Sequence, residues 1–259
     1  MTISLIINTY DRPDALAKVF SGLAHQSRCP DEIIVADDGS KEDTKQLIDT
    51  WRKTSKAPVQ HVWQTHLDFR RTVILNKAIR IATSDYIVFL DGDCVPHRNF
   101  VADHQTLAED GFWVQGRRCF VKEEFVPEFE TDKSSAWRWL MAGRITGGFK
   151  ALRLPVPIIR RSAAQRGIIG CNMGFWKKDL VAVNGFDESF VGWGGEDSDL
   201  GSRLYHLGRL RKLVYGRAIV YHLNHPPLPR DKFRDNTARL QETLRSRRIR
   251  CKQGLAQHA

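Results

Sequence analysis

Two acidic corners of the 259-residue chain carry the residue types from which chemistry can be built. The first is Asp91-Gly92-Asp93, which closes the apolar run Tyr86 to Leu90. In an extended chain residues i and i+2 share a side, so the two carboxylates converge, while Gly92 leaves room for another backbone or a ligand. Paired hard oxygens suit a divalent cation that holds a phosphate. Taken alone, the triplet reads equally as an Asp-Gly turn after a core strand. The second corner is Gly192-Trp193-Gly194-Gly195-Glu196-Asp197-Ser198-Asp199. Glu196 and Asp197 fall in the first turn of a helix running to Leu207, where the positive end of the helix dipole favours carboxylates. Routine capping accounts for the acids but not for three glycines around a tryptophan, which contribute no side chain to a core. Trp193 can stack on a sugar ring, and a neighbouring carboxylate can take a hydroxyl proton as general base. His222 and His225, three apart before Pro226, are either exposed loop residues or the nitrogens that complete a metal site with Asp91 and Asp93.

These residues need elements to bring them together. Apolar runs at Ile3 to Ile7, Glu32 to Ala36 and Tyr86 to Leu90, with a weaker one at Val59 to Trp63, read as strands. Helices are expected over Asp14 to His25, Lys41 to Lys53 and Arg70 to Ala82, the first opened by Pro13. Strand and helix alternating over ninety residues predict an α/β fold with a parallel, doubly wound sheet and right-handed crossovers. Open sheets of that kind bind ligands at the carboxyl ends of their strands, where Asp91 and Asp93 fall. Further on, the expected elements are a helix over Asn99 to Glu109, a strand pair or one long strand over Phe112 to Val121, a strand over Ile168 to Trp176, a short helix over Lys178 to Asn184 and a strand over Arg217 to Leu223. Ser134 to Arg166 reads as helix followed by a mobile loop of the kind that covers a site. Asn236 to Lys252 reads as a terminal helix with a thin apolar stripe, Leu240, Leu244 and Ile249. One domain is expected, with residues 1–110 and 111–230 as its two halves and 231–259 as a basic tail.

Hydrophobic residues make up 42% of the chain, enough for a proper core. The five cysteines are scattered without a CxxC pair, which argues against a disulfide framework or a zinc knuckle and fits a reducing compartment. No leader pattern opens the sequence and no apolar run approaches a membrane span, so a cytoplasmic protein is expected. The net charge of +10 is local: residues 144–178 hold eight Lys/Arg and no Asp/Glu, and residues 207–259 hold thirteen against three. Such zones attract phosphates in a nucleotide, a nucleic acid or an anionic lipid surface.

The motifs Ile-Ile-Asn-Thr-Tyr, Ala-Asp-Asp-Gly-Ser, Asn-Lys-Ala-Ile and Leu-Asp-Gly-Asp resemble family 2 glycosyltransferases of the GT-A fold. Gly-Phe-Asp-Glu, then Gly-Trp-Gly-Gly-Glu-Asp-Ser-Asp and His-x-x-His, resemble the catalytic segment of β1,4-galactosyltransferases and polypeptide N-acetylgalactosaminyltransferases. The likeness covers roughly Ile3 to His225. It implies a metal-dependent, inverting transfer of a hexose or N-acetylhexosamine from a UDP-sugar to a hydroxyl of a saccharide or glycolipid; the arginine-rich tail, which fits anionic lipid or a phosphorylated glycolipid, adds the expectation of bacterial surface polysaccharide or lipopolysaccharide synthesis. Position by position the likeness implies donor-nucleotide contacts at Asn8, Tyr10, Asp38 and Arg70, and a ribose and metal-diphosphate role for Asp91 and Asp93. It further implies Asp197 as general base, acceptor-facing roles for Glu196 and Trp193, and His225 as a metal ligand to Mn2+ or Mg2+. His222 stands where the galactosyltransferase pattern has methionine. The basic stretch between Gly143 and Gly167 is the candidate lid over the diphosphate.

The chief rival is a noncatalytic module binding nucleic acid or glycan through the basic surface. The most distinctive cluster, however, is acidic and repels phosphate without a metal, so no nucleic-acid partner is expected. Dehydrogenase and NTPase readings lack GxGxxG and GK[ST] loops. The arginines of the tail, Arg239, Arg245, Arg247, Arg248 and Arg250 with Lys252, suggest peripheral contact with an anionic membrane.

Overall fold

The computed structural model describes residues 1–130, 136–163, 167–226 and 230–258. Its first ninety residues follow the expected alternation: β1 (Ile3–Thr9), α1 (Pro13–Ala24), β2 (Glu32–Asp37), α2 (Glu42–Arg52), β3 (Val59–Trp63), α3 (Arg71–Ile81) and β4 (Tyr86–Asp91). Strands β3, β2, β1 and β4 lie side by side in that order, all parallel. The continuous apolar runs follow from burial on both faces. Ile3, Leu5 and Ile7 pack with Leu16 and Phe20 of α1, whereas Ile6 packs with Ile74 and Leu75 of α3. Tyr86, Val88 and Leu90 divide from Ile87 and Phe89 in the same way.

Beyond Asp93 the chain builds β5 (Cys94–Pro96), α4 (Phe100–Leu107), β6 (Phe112–Gln115), β7 (Arg117–Val121), α5 (Ala136–Met141), β8 (Ile158–Ser162) and β9 (Asn172–Trp176). It continues through α6 (Lys177–Ala182), α7 (Glu196–His206), β10 (Leu210–Tyr215), β11 (Ile219–Leu223) and α8 (Phe233–Ser246). The main sheet has the order β3-β2-β1-β4-β9-β6-β10-β8, with β9 antiparallel to β4 and β6 and β8 antiparallel to β10. A second sheet, β5-β11-β7, stands beside it. One sheet thus runs through both halves of the sequence, in a single α/β domain.

Of the two readings of residues 112–121, the strand pair is present as β6 and β7, but the two do not pair with each other: they belong to different sheets, and the chain changes sheet at Gly116. A Cβ at Gly116 would come within 2.2 Å of the Ala218 carbonyl and 2.3 Å of the Asn172 amide, so only glycine permits that crossing. One expectation is corrected: the described residues between 134 and 166 do not form a helix and then a loop. They hold α5, a bridge from Ile145 to Val121, a 3-10 turn at Gly148–Ala151 and the edge strand β8; residues 134, 135 and 164–166 lie outside the described residues.

Candidate active site

Asp91 is the last residue of β4, and Asp93 follows it one glycine later. The Gly92 N–H donates to the Asn8 carbonyl at 2.7 Å, and a Cβ there would stand 2.9 Å from the same oxygen. This close approach seats the acidic corner against the end of β1. The later corner reaches it through α3. Thr72 Oγ1 donates to the Phe190 carbonyl, Asn76 Nδ2 to that of Phe186, and the Gly192 N–H to that of Phe69. Gly194 and Gly195 then take left-handed conformations, with φ of 99° and 97°, and turn the chain into α7 so that Glu196 and Asp197 open it.

The two corners meet on Arg71. Its Nη2 lies 3.0 Å from Asp91 Oδ1, and its Nη1 lies 3.2 Å from Glu196 Oε1 and 3.0 Å from Asp197 Oδ1. Arg71 is 6% exposed. Burial works against its charge, but Asp197, Asp91 and Glu196 outweigh it and hold the guanidinium well above its usual range. Sequence reasoning passed over Arg71 in favour of Arg70, because two adjacent arginines give no sign of which points inward. Being first in α3, with its neighbours Thr72 and Leu75 buried, is the signal that could have found it.

Burial and then the Asp197 charge push Glu196 up to about 7, against the pull of Arg71. Its Oε2 is buried with no hydrogen-bond partner. A carboxyl whose folded pKa is raised binds more protons folded than unfolded, so its contribution to stability falls as pH rises from about 4.5 to about 7 and stays low above. Glu196→Gln is therefore expected to gain on the order of 3 kcal/mol relative to the unsubstituted protein above pH 7 and nothing below about pH 4.5. Urea unfolding of both proteins at pH 4.5 and 8 measures this; an equal difference at the two values would refute it. Asp91 is likewise raised, by burial first and by Asp93 and Asp197, with Arg71 opposing.

Asp93, His222 and His225 form a trio whose ligand atoms lie within 4.8 Å of one another. His225 Nε2 is 3.1 Å and His222 Nε2 3.6 Å from Asp93 Oδ2. β11 runs antiparallel to β5, pairing His222 with Cys94, and so places the imidazoles beside the carboxylate. Burial raises Asp93, but the His225 hydrogen bond and the two imidazole charges outweigh it and leave the group lowered, hence ionised. A carboxylate with two imidazoles fits a divalent transition ion and suits Mn2+ better than the all-oxygen preference of Mg2+. Asp91 stands outside this trio. Its Oδ1 is taken by Arg71, and among the described residues it groups instead with the buried thiols of Cys94 and Cys171.

Asn8, Tyr10, Asp38 and Arg70 gather at the carboxyl ends of β1 and β2 and the start of α3. Tyr10 stacks on His66, with ring centroids 4.1 Å apart and 11° between planes, and is 39% exposed. Asp38 is 1% exposed and accepts from Gln64 Nε2 at 2.6 Å and from the Arg70 N–H at 3.0 Å. Its pKa is raised by burial. Trp193 is 38% exposed, stacked on Phe233 of α8 with the Arg230 guanidinium 4.8 Å over its ring. Asp199 was read as part of the acidic cluster and serves the fold instead: fully buried, it accepts from Arg203, Thr243 and Arg248 and ties α8 to α7.

A mostly parallel sheet with an acidic corner at the carboxyl end of β4 agrees with the GT-A transferase fold that the sequence motifs resemble. The family model described as glycosyl transferase family 2 matches residues 4–170, and that described as the N-terminal domain of galactosyltransferase matches residues 157–226. The chain therefore belongs to glycosyl transferase family 2 and is a glycosyltransferase. It is 29% identical over 252 residues to the chondroitin synthase of Escherichia coli, covering 86% of this chain and 35% of that protein. It is 27% identical to the hyaluronan synthase of Pasteurella multocida, covering 86% and 25%. The chain thus spans about a quarter to a third of the length of these relatives. Among solved structures, TarS 1–349 of S. aureus in complex with UDP superposes with a TM-score of 0.64 at 13% identity, covering all of this chain and 68% of that one. The mannosyltransferase PcManGT of Pyrobaculum calidifontis, in complex with GDP-Man and Mn2+, superposes with 0.57 at 18% identity, covering 92% and 61%.

Proposed function

We propose that this glycosyltransferase moves a hexose or N-acetylhexosamine from a UDP-sugar to a hydroxyl of a saccharide or glycolipid, with inversion, in the making of a bacterial surface polysaccharide. The observation that carries the reading is the junction at Arg71, which sets Asp197 beside Asp91 in one site. Tyr10 and His66 offer the uracil a stacked shelf, with Asp38 and Arg70 behind it. Asp93, His222 and His225 would hold the cation, which when bound neutralises charge on the departing diphosphate. Asp197 takes the proton of the acceptor hydroxyl as that oxygen attacks the anomeric carbon from the face opposite the leaving group, and a single displacement inverts configuration. Glu196, titrating near neutrality, receives or donates a hydrogen bond on the acceptor side, and Trp193 offers its exposed ring to the acceptor sugar. The relatives' polymer synthases favour a saccharide acceptor.

A panel of UDP-sugars assayed for UDP release with saccharide acceptors, with Mn2+ and with chelator, tests the reading. One donor should turn over with Mn2+ and stop with chelator; turnover of none, or unchanged turnover in chelator, overturns it. The position of the base gives a second expected result. A Cβ at Gly170 would lie 2.0 Å from Asp197 Oδ2. Gly170→Ala should displace that carboxylate and lower kcat by about tenfold or more, since misplacement by about 1 Å is enough to do so. Circular dichroism that shows an intact fold with an unchanged kcat would remove Asp197 from the role.

A further inference from the structure

The tail arginines are partly committed to the fold. Arg248 pairs with Asp187 and Asp199, and Arg250 donates to the Val181 and Ala182 carbonyls. The buried positions of α8 are Asn236 and Thr243, both used to hold α7 and its approach, rather than the apolar stripe. A different surface combines exposed apolar side chains with a cation-rich segment, of which Arg144, Arg153 and Arg161 pair with Glu128, Asp103 and Glu109 from outside it. Between Asp132 and Asp179 the sequence has ten Lys/Arg and no Asp/Glu. In that stretch Trp137 (56%), Met141 (71%), Phe149 (56%), Val156 (76%) and Ile158 (51%) are large apolar residues left open to solvent. Trp137 and Met141 are four apart on α5 and so share a face. The 3-10 turn carrying Phe149 packs against α5 and β7. Phe149 stacks on Tyr215, and Tyr215 lies opposite Ile158 in the β10–β8 ladder. Contact therefore links α5, the turn and β8 into one surface, on which Arg138 and Arg160 are exposed and Lys150 half-exposed. β8 is also the last strand of the sheet, so nothing in the described sheet pairs its outer edge.

We infer that this face docks on an anionic lipid surface, with Trp137, Met141, Phe149 and Ile158 entering the headgroup region and Arg138, Lys150 and Arg160 meeting lipid phosphates. Exposed aromatic and aliphatic side chains among cations, with acids absent from the segment, match the chemistry of that interface, where apolar burial and attraction to negative headgroups add together. The 3-10 turn also packs on β11, the strand that carries His222, so docking holds the site near the bilayer. The inference rests on the glycolipid side of the acceptor reading. Its test is independent of turnover because it uses no donor or acceptor.

The full chain is mixed with vesicles of phosphatidylcholine alone or with added phosphatidylglycerol, and bound protein is measured by flotation. Binding is expected only to the anionic vesicles and to fall with added salt. The triple variant Trp137→Ser, Met141→Ser, Phe149→Ser and the triple variant Arg138→Gln, Lys150→Gln, Arg160→Gln should each lower the partition coefficient by about tenfold or more, whereas Arg239→Gln with Arg245→Gln should leave it nearly unchanged. Thermal melts check that each variant folds; should the first triple fail, Phe149→Ser alone, at an exposed turn, reads the same arm. No binding by the unsubstituted chain, loss only in the tail variant, or patch variants that instead abolish a concentration-dependent dimer in size-exclusion chromatography would each overturn the inference, the last in favour of a second copy as occupant.

Discussion

Arg71→Met is expected to cost about 3–5 kcal/mol of stability at pH 8, the range for breaking a buried ion pair by removing one partner. The residue is buried, and its guanidinium contacts Asp91, Glu196 and Asp197 within 3.2 Å. Without it, three carboxylates face one another in a site that burial already makes hostile to their charge. The loss should be pH-dependent with a definite sign. Removing the cation that opposes the raised pKa values of Asp91 and Glu196 raises both further, so these carboxyls bind protons more readily folded than unfolded, and the deficit grows as pH rises from 5 to 8. Arg71→Lys separates charge from shape, because one ammonium cannot span acids that Nη1 and Nη2 reach separately. It should recover part of the stability but little of the activity. Guanidinium chloride unfolding at pH 5 and 8 is the measurement. A deficit under 1 kcal/mol, or one equal at both pH values, would show that Arg71 is not what holds the acids together.

Why Arg71 escaped a reading of the sequence also explains what was legible and what was not. Runs such as Tyr86 to Leu90 state their own fate, because continuous apolar residues ended by acids fit a strand buried on both faces. The elements from β1 to β4 were accordingly located to within a residue or two. The corner Gly192 to Asp197 was legible for another reason: glycines that cost entropy without filling a core must be doing something with backbone geometry, and φ near 100° at Gly194 and Gly195 is what they do. β5 and β10 gave no comparable signal. β5 has three residues, and β10, Leu-Arg-Lys-Leu-Val-Tyr, has two cations at buried positions, Arg211 and Lys212. Lys212 donates to the Leu107 carbonyl and pairs with Glu109, and Arg211 donates to Gln115 and the Gly167 carbonyl. Such partners are far away in sequence, and no local pattern announces them. The same limit hid the division of labour between the two acids of the first corner. Spacing says that Asp91 and Asp93 share a side; only the long-range approach of Arg71 to one and of His222 and His225 to the other tells them apart.

That division sharpens the largest expected effect, the loss of rate in Asp197→Asn. The substitution keeps size and leaves a carbonyl oxygen that can still accept from Arg71 Nη1, now 3.0 Å from Oδ1. It also keeps Gly170 against a side chain of the same shape. What it removes is a group able to take a proton. A general base contributes about 10²- to 10⁴-fold, so kcat should fall at least about a hundredfold while UDP affinity, measured by calorimetry with Mn2+ present, stays nearly constant. The opposite corner supplies the contrast. His225→Ala takes a nitrogen from the trio around Asp93 and should weaken Mn2+ and UDP binding together. Substitutions in the two corners then fail in different ways, one in turnover with binding intact and one in binding itself. If Asp197→Asn lost UDP along with rate, the carboxylate would belong to the donor side and the base would have to be sought elsewhere. Glu196, which shares Arg71 with it and titrates near neutrality, would be the next group to test.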